Sequence, residues 1–341
     1  MPFAFAPAML GLGAPKNPYY SGPVSDHFDG LRFFVPGGPD DKTLGDLLRM
    51  ARGARKRAPW PASRPEIVPD RPPPRVEGRN LRVSYVGHSS FLVQTEGLNL
   101  LIDPVWARRA GPWGRIGPTR VTAPGIAFSD LPKLDAILLS HNHYDHMDLA
   151  TLSRLARERP CPVLTPLGND TILRRYDSKI DARAFDWGQR AELGPATVHV
   201  EPAYHWSARG RGDRRMALWG SFVIETPSGK IYFAGDTGFH DGAVFHDIRR
   251  RHGPMRLALI PIGAYEPRWF MKEQHCDPHE AVEIFRRLDA DMAFGCHWGT
   301  FRLTDEAYLD PVERLAAALA QAGIYPARFR ATPPGSAMEL R

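Results

Sequence analysis

The stretch that decides the fold is His141-Asn142-His143-Tyr144-Asp145-His146, which directly follows the apolar run Ala136–Ser140. Three histidines and one aspartate fall within six positions, where a buried strand passes into a loop. Neither a helix nor a strand would gather all four side chains, whereas a tight loop can present the first two histidines to one ion and the Asp145–His146 pair to a neighbouring ion. Imidazole nitrogen and carboxylate oxygen are the donors that suit zinc and similar divalent metals. The stretch therefore predicts a metal-binding active site.

Three later residues complete a candidate ligand set, because each lies where a predicted strand gives way to a loop. His205 follows the alternating residues 197–204, Asp236 follows the apolar residues 231–234, and His297 follows the apolar residues 292–296. Catalytic residues concentrate at such positions, since a rigid sheet fixes them and the loop exposes them. Together with the first stretch, these residues predict one distributed metal site.

Longer strings carry a resemblance to a known family. The order His-x-His-x-Asp-His, a separate His, Gly-Asp-Thr-Gly and a final His resembles the metallo-β-lactamase superfamily. Within it, six strings over about residues 80 to 325 resemble the N-acylphosphatidylethanolamine-hydrolysing phospholipases D and their bacterial relatives. These strings are Ser140–His146, Pro202–Trp206, Phe233–Gly238, Ile260–Met271, Gln274–Pro278 and His297–Phe301. The resemblance implies an α/β fold, a four-layer αββα sandwich, with a dinuclear metal site along one edge of its paired sheets.

The resemblance also divides the ligands between two divalent ions, with zinc the expected metal, although iron and manganese tolerate similar ligands. The residues implied for one ion are His141, His143 and His205. The residues implied for the other are Asp145, His146 and His297, with Asp236 bridging the pair. The catalytic residues carried over in this way are Asp145, Asp236 and His275.

Two residues are expected behind or beside the loop at residues 140–147, the metal loop. Asp103 matches the superfamily's acidic residue that orients metal ligands from behind. His88, in Gly87–Ser90, matches a turn near the site, and it is alternatively a hydrogen-bonded structural histidine.

Three residues are expected near the substrate. Gln274 and His275 match a position near the substrate phosphate, although His275 is alternatively a loop histidine without a role. Tyr265 belongs with residues 269–271 to an aromatic and apolar string. This string would suit an acyl or glycerol moiety, and it is alternatively ordinary core.

The chemistry of such a site is hydrolysis without a serine or cysteine nucleophile. Two divalent ions about 3.5–4 Å apart lower the pKa of a shared water, and the resulting hydroxide attacks phosphorus or a carbonyl carbon. Asp145 and Asp236 stay ionised beside the cations, so neither is a natural proton donor. The leading hypothesis is a phospholipase D-type phosphodiesterase acting on N-acylphosphatidylethanolamine-like phospholipids. The alternatives are a lactone or ester hydrolase related to sugar-phosphate lactonases, a hydrolase of soluble phosphodiesters, and a non-catalytic metal-binding protein.

The net charge of +6 over 341 residues suits an anionic partner, either a phosphodiester or an anionic membrane surface. Nucleic acid is not expected, since no basic strip interleaved with aromatic residues lies near the metal loops. A homodimer is left open. Three scattered cysteines do not describe a disulfide framework, which favours the reducing cytoplasm. No apolar run reaches the ~20 residues that span a bilayer, and Met1–Leu10, without a basic segment and with two prolines, makes a poor signal peptide.

Residues 1–79 differ from the rest and are predicted to be a proline- and arginine-rich extension of a catalytic domain at residues 80–341. Residues 42–57 predict a short helix with leucines on one side, and the basic residues at its end include Arg55, Lys56 and Arg57. The helix either packs on the catalytic domain or lies in an anionic membrane surface, with peripheral membrane attachment as the consequence. In the domain, residues 81–86, 91–94 and 99–102 predict an antiparallel meander, and residues 149–158, 279–288 and 312–322 predict helices.

Overall fold

Two mixed β-sheets organise the chain. The computed structural model describes residues 16–38, 42–53, 58–61, 66–210 and 212–341. The strands of the first sheet are β1 (Leu81–Gly87), β2 (Ser90–Thr95), β3 (Leu98–Ile102), β4 (Ala136–Leu138), β5 (Val163–Pro166), β6 (Ala182–Phe185) and β14 (Ala337–Leu340). The strands of the second are β7 (Arg190–Leu193), β8 (Ala196–Glu201), β9 (Ser221–Thr226), β10 (Gly229–Phe233), β11 (Leu257–Pro261), β12 (Met292–Cys296) and β13 (Phe329–Arg330).

The order of strands is β14-β1-β2-β3-β4-β5-β6 in the first sheet and β13-β12-β11-β10-β9-β8-β7 in the second. Within each sheet an antiparallel part adjoins a parallel part, for example β1-β2-β3 beside β3-β4-β5-β6. The helices are α1 (Leu44–Gly53), α2 (Leu149–Glu158), α3 (Asn169–Tyr176), α4 (Ala243–His252), α5 (Arg268–Met271), α6 (Pro278–Arg287) and α7 (Asp310–Gln321).

The two sheets pack face to face, because alternate residues of their strands turn apolar side chains toward each other. Val83, Tyr85 and Phe91 of the first sheet share one buried cluster with Val200 and Phe222 of the second. The opposite faces of the strands bury against helices. These contacts involve α2 and α3 on the first sheet and α4, α6 and α7 on the second. The expected four-layer αββα sandwich is therefore confirmed.

The predicted elements of the domain agree with the structure to within a few residues. The meander forms with its turn at Glu96 and Gly97, which both have positive φ, and the three predicted helices are α2, α6 and α7. One strand is shorter than predicted, since β8 ends at Glu201 rather than reaching Tyr204. The shorter strand leaves His205 on a loop.

The described part of the N-terminal extension packs against the sandwich. Phe28 and Phe33 share a buried cluster with Trp219, and the Asp70 carboxylate pairs with Arg82 of β1 over 2.7 Å. Helix α1 begins at Leu44 and ends at Gly53, within the predicted residues 42–57, and Arg55, Lys56 and Arg57 lie outside the described residues, as does Met1–Leu10. The division of the chain at residue 79 stays a prediction.

Helix α1 lies near the loops that follow β11. Its Arg49 guanidinium stacks 4.0 Å from the ring centre of Trp269 in α5. Among the described residues, no helix has both the length and the apolar character that crossing a membrane requires.

Candidate metal centre

The loop after β4 is shaped by contacts from two other parts of the chain. The Arg209 guanidinium donates to the carbonyls of Asn142 and Met147 over 2.8 and 2.9 Å, which braces the loop at both ends. Gly235 has a φ of 61°, and a Cβ there would lie 3.0 Å from the Cβ of Ser140. Glycine at this position therefore allows the loop after β10 to approach the loop after β4.

Three histidines converge on one point. The Nδ1 atom of His143 lies 2.9 Å from Nε2 of His141 and 3.1 Å from Nε2 of His205. The Nδ1 atom of His205 donates to the backbone carbonyl of Gln274 over 3.0 Å, because a carbonyl can only accept. A neutral ring with Nδ1 as donor keeps its lone pair on Nε2, which is the atom that faces the other two histidines.

A second group lies beside the first. It consists of Asp145 and His146 from the metal loop, His297 after β12 and His88 from the turn after β1. The Oδ2 atom of Asp145 lies 2.8 Å from Nε2 of His88 and 3.5 Å from Nε2 of His297. His88 and His297 both have positive φ, 58° and 63°, and the backbone N–H of His297 donates to the carbonyl of His88 over 2.7 Å. Such strained non-glycine residues cluster at functional sites.

Asp236 lies between the two groups. Its Oδ2 atom is 3.1 Å from Nε2 of His146 and 3.2 Å from Nε2 of His297. The same oxygen is 3.7 Å from Nε2 of His205 and 3.9 Å from Nε2 of His141. One carboxylate thus faces ligand-type atoms of both groups.

Asp103 lies behind the metal loop, where its carboxylate contacts Ser140 and His146. Its carboxylate accepts from the backbone N–H of Ser140 over 2.7 Å and from the Ser140 hydroxyl over 2.6 Å. It also lies 2.7 Å from Nδ1 of His146. The Ser140 hydroxyl directs its own proton to Asp103. Its oxygen therefore accepts a hydrogen bond from Nδ1 of His141 over 2.9 Å. Both of these histidines are thereby held with Nε2 toward Asp236.

The protonation of the two groups differs. Burial lowers the pKa of His141 and His205 well below its usual value and that of His143 to about 4. Burial acts on His146 and His297 too, but Asp236 and Asp145 outweigh it, raising the pKa of His146 well above its usual value and that of His297 to about 9. The first group is therefore neutral at pH 7, whereas a cation that binds the second group displaces protons from it.

The donor set fits divalent cations. Within it, buried atoms without a hydrogen bond include Oδ1 of Asp236 and the Nε2 atoms of His143, His146 and His297. A buried polar atom without a partner costs free energy unless something else satisfies it. Imidazole nitrogens and carboxylate oxygens that converge in this way are the donors that zinc-like ions prefer.

Of the three residues expected near the substrate, two lie beside the ligand groups and one does not. His275 is buried, with Nε2 4.0 Å from Oδ2 of Asp236, and burial lowers its pKa to about 4. Gln274 accepts from the indole N–H of Trp206 over 2.6 Å, and both line a cavity of about 300 Å³ beside His205. The hydroxyl of Tyr265, in contrast, bonds Asp310 of α7 rather than any residue of the ligand groups.

A larger cavity of about 750 Å³ is lined in part by the metal loop. Its lining includes Tyr144 and Met147 from that loop, Tyr176 at the end of α3, and Trp113 on the turn at residues 112–114. Trp113 is 83% exposed, so the rim of this cavity carries an indole ring in solvent.

Sequence reasoning missed two contributors. Arg209 donates to the metal loop although it lies 62 residues after Met147 in the sequence. An arginine in a polar stretch gives no local signal of such a contact. The residues 34–38 form one wall of the smaller cavity, although they belong to the N-terminal extension. For His88, the 2.8 Å contact of Nε2 with Oδ2 of Asp145 favours a position at the site over a purely structural role.

Comparisons with known proteins agree with this geometry. Residues 98–298 match the beta-lactamase superfamily domain. An uncharacterized protein of Mycobacterium tuberculosis is 37% identical over 277 residues, which cover 80% of this chain and 72% of that protein. The N-acyl-phosphatidylethanolamine-hydrolyzing phospholipase D 1 of Caenorhabditis elegans is 38% identical over 245 residues, 69% of this chain and 68% of that protein. Among solved structures, Igni18, a metallo hydrolase of Ignicoccus hospitalis, shares the fold with a TM-score of 0.55 and 20% identity, over 77% of this chain and 99% of that one.

Proposed function

This chain belongs to the beta-lactamase superfamily, and from that membership we propose that it is a metal-dependent hydrolase with a dinuclear, zinc-type site. The observation that carries the proposal is the position of Asp236, whose Oδ2 atom lies within 3.9 Å of ligand-type nitrogens from both groups. One ion would be held by His141, His143 and His205, and the other by Asp145, His146 and His297. Structural zinc sites are usually closed and mononuclear, so a carboxylate shared by two groups supports catalysis over a structural role.

The residues of the chain have separate tasks in this reaction. Two divalent cations, once bound, lower the pKa of a water and neutralise charge that develops on the substrate oxygens. Asp103 holds the ring of His146 in its ligand orientation, and the backbone carbonyl of Gln274 holds the ring of His205. Neighbouring imidazoles outweigh the effect of burial and hold the pKa of Asp145 and of Asp236 well below its usual value, so neither side chain donates a proton at pH 7.

The substrate that we propose is a phosphodiester of the N-acylphosphatidylethanolamine type, cleaved in the manner of a phospholipase D. The similarity to the C. elegans enzyme of that name supports this choice. His275 supports it too, because its buried Nδ1 has no hydrogen bond and its ring is neutral at pH 7. A neutral imidazole here can donate one hydrogen bond to a phosphoryl oxygen without offering a competing positive charge.

The larger cavity supports an apolar substrate portion and contact with a membrane surface. Its volume of about 750 Å³ lies in the range of small-molecule sites, and Tyr144 links its wall to the metal loop. The exposed Trp113 lines this cavity together with Arg109 and Arg115, and the exposed Arg108 and Ile116 are their neighbours in sequence. We propose that this rim contacts an anionic membrane, since indole rings favour the interface and arginines favour anionic head groups.

The test is product analysis on two substrates with metal content measured on the same preparation. One substrate is an N-acylphosphatidylethanolamine in mixed micelles, and the other is a soluble chromogenic phosphodiester. The proposal predicts two metals per chain and release of an N-acylethanolamine with phosphatidic acid. Cleavage of the soluble ester alone would keep a phosphodiesterase and exclude the lipid. Cleavage of neither substrate by protein with two metals would favour the lactone or ester hydrolase.

The variant His275→Ala separates binding of substrate phosphate from binding of metal. We expect the rate on the lipid to fall by about 100-fold, as when one donor to a developing oxyanion is removed, while both metals stay bound. His246→Ala is the matched control, because His246 is an exposed histidine of α4 outside both groups. An unchanged rate in His275→Ala would return His275 to the alternative of a loop histidine without a role.

A further inference from the structure

A second set of histidines and carboxylates lies on the outer face of the second sheet. His199 and Glu201 come from β8, Glu225 comes from β9, and His252 ends α4. In the antiparallel pair, His199 is opposite Val223 and Thr197 is opposite Glu225, so these side chains share one face. That face is covered by α4, whose Phe245 packs in the same buried cluster as Val223. None of these residues belongs to the two groups around Asp236.

The donor atoms of this set lie close together. The rings of His199 and His252 are 4.7 Å apart between centres, and Nε2 of His199 is 3.4 Å from Oε2 of Glu225. One donor atom from each of His199, Glu225 and His252 lies within 4.8 Å of the other two. Two imidazoles and a carboxylate are a donor set that zinc and similar transition ions prefer.

One detail indicates a ligand rather than a self-sufficient ion-pair network. The Nε2 atom of His199 is buried and makes no hydrogen bond, and the nearby Oε2 atom of Glu225 lies 3.4 Å away. A buried polar atom without a hydrogen bond is unfavourable unless another group satisfies it. A cation bound between this nitrogen and the Glu225 carboxylate would satisfy both.

The ion pairs of Glu201 and Glu225 differ, and they give the two carboxylates different roles. Glu201 is buried and pairs with Nε2 of His252 over 2.7 Å and with Arg251 over 2.5 Å. It therefore orients His252 as a carboxylate orients a metal-bound histidine. Glu225 is half exposed and contacts Lys230 only loosely, at 3.5 Å. Its carboxylate is thus free to turn toward a cation without breaking a tight ion pair.

We propose that His199, His252 and Glu225 form a separate binding site for one divalent transition-metal ion, with Glu201 as the residue that positions His252. The site would join the sheet to the end of α4, the helix that follows the Asp236 loop. Because it binds the folded chain, the ion raises the midpoint of thermal unfolding in a concentration-dependent way. The inference is independent of the substrate proposed for the centre at Asp236.

The experiment measures zinc equivalents in the full-length protein after dialysis against zinc chloride at rising free concentrations. His199→Ala and His199→Gln should each hold one zinc fewer per chain than the wild type, and Glu225→Gln should bind that zinc at least about 10-fold more weakly. His246→Ala, which removes an exposed imidazole of α4, should match the wild type. Hydrolase activity at saturating zinc is retained in the Glu225→Gln variant if its fold is intact.

Two results would overturn the inference. One is an equal zinc content in the wild type, His199→Gln and Glu225→Gln at every free concentration. The other is a loss in His246→Ala as large as in the His199 variants, which would indicate non-specific binding to surface histidines. A cobalt titration adds a spectroscopic check, because one visible absorption component must disappear in His199→Gln and persist in His246→Ala.

Discussion

The Oδ2 atom of Asp103 lies 2.7 Å from Nδ1 of His146, and this contact fixes which nitrogen of the ring faces Asp236. Asp103 has no exposed surface and receives two further hydrogen bonds from Ser140. Its carboxylate is therefore an acceptor held in place from behind the metal loop. The Nε2 atom of His146 is left 3.1 Å from Asp236.

Asp103→Asn should weaken metal binding without unfolding the chain. An amide oxygen can still accept from Ser140, but its NH₂ group would meet the Nδ1–H of His146 and disfavour the ligand tautomer. We expect zinc affinity to fall by about 10- to 100-fold, measured by competition with a chromophoric chelator. Asp181→Asn, a change at an exposed carboxylate, is the control. Equal affinities in the wild type and Asp103→Asn would contradict the orienting role.

Asp236→Ala should affect both ions, because Asp236 is the carboxylate that faces both groups. Metal content should fall, and turnover should fall by more than about 100-fold, since the loss of an outer partner alone costs 10- to 100-fold. The far-ultraviolet circular dichroism should stay unchanged, as Asp236 lies on a loop after β10. Near wild-type activity in this variant would exclude a dinuclear site bridged by Asp236.

Stability of the metal-stripped protein should fall as the pH falls from about 6.5 toward 4. Burial lowers the pKa of His143 and His275 to about 4 and that of His88 to about 3. The unfolded chain binds protons at these rings near pH 6.5, so in this window it binds more protons than the folded chain and is favoured by acid. The pKa of His146 and of His297 is raised in the folded chain, so both rings are protonated in both states once the pH is well below 6.5 and add little slope toward pH 4.

The measurement is urea unfolding of chelator-treated protein at several pH values between 7 and 4. His275→Gln removes one of these buried imidazoles and should reduce the dependence of the unfolding free energy on pH. A midpoint that stays constant or rises toward pH 4 would show that these rings are not held neutral by burial.

The parts of the site that could be predicted from sequence are those that short-range patterns encode. His141, His205 and His297 each follow a strand with a recognisable apolar or alternating pattern, and the resemblance of the strings to the superfamily is confirmed. The three contacts of Asp103 follow from the same motif, because Ser140 and His146 belong to the metal loop.

The remaining parts depend on contacts that no local pattern encodes. Arg209 reaches Asn142 across 67 residues, and the N-terminal residues 34–38 reach the cavity beside His205. For Tyr265, the aromatic and apolar composition of its string is the same for core and for a substrate surface. Only the partner of its hydroxyl, Asp310, distinguishes them.

Trp113→Ala should reduce activity on a lipid more than activity on a soluble ester. Trp113 is 83% exposed on the rim of the 750 Å³ cavity, and the exposed Arg108 and Arg115 flank it in sequence. An exposed indole beside arginines favours a membrane interface, where a lipid substrate is met, but a soluble phosphodiester reaches the metal centre without it. We expect a several-fold larger loss on N-acylphosphatidylethanolamine in anionic vesicles than on the soluble ester.

Tyr325→Ala is the control, since Tyr325 is 73% exposed and lies outside this cavity. Equal losses on both substrates, or an equal effect of Tyr325→Ala, would contradict a membrane role for the Trp113 rim.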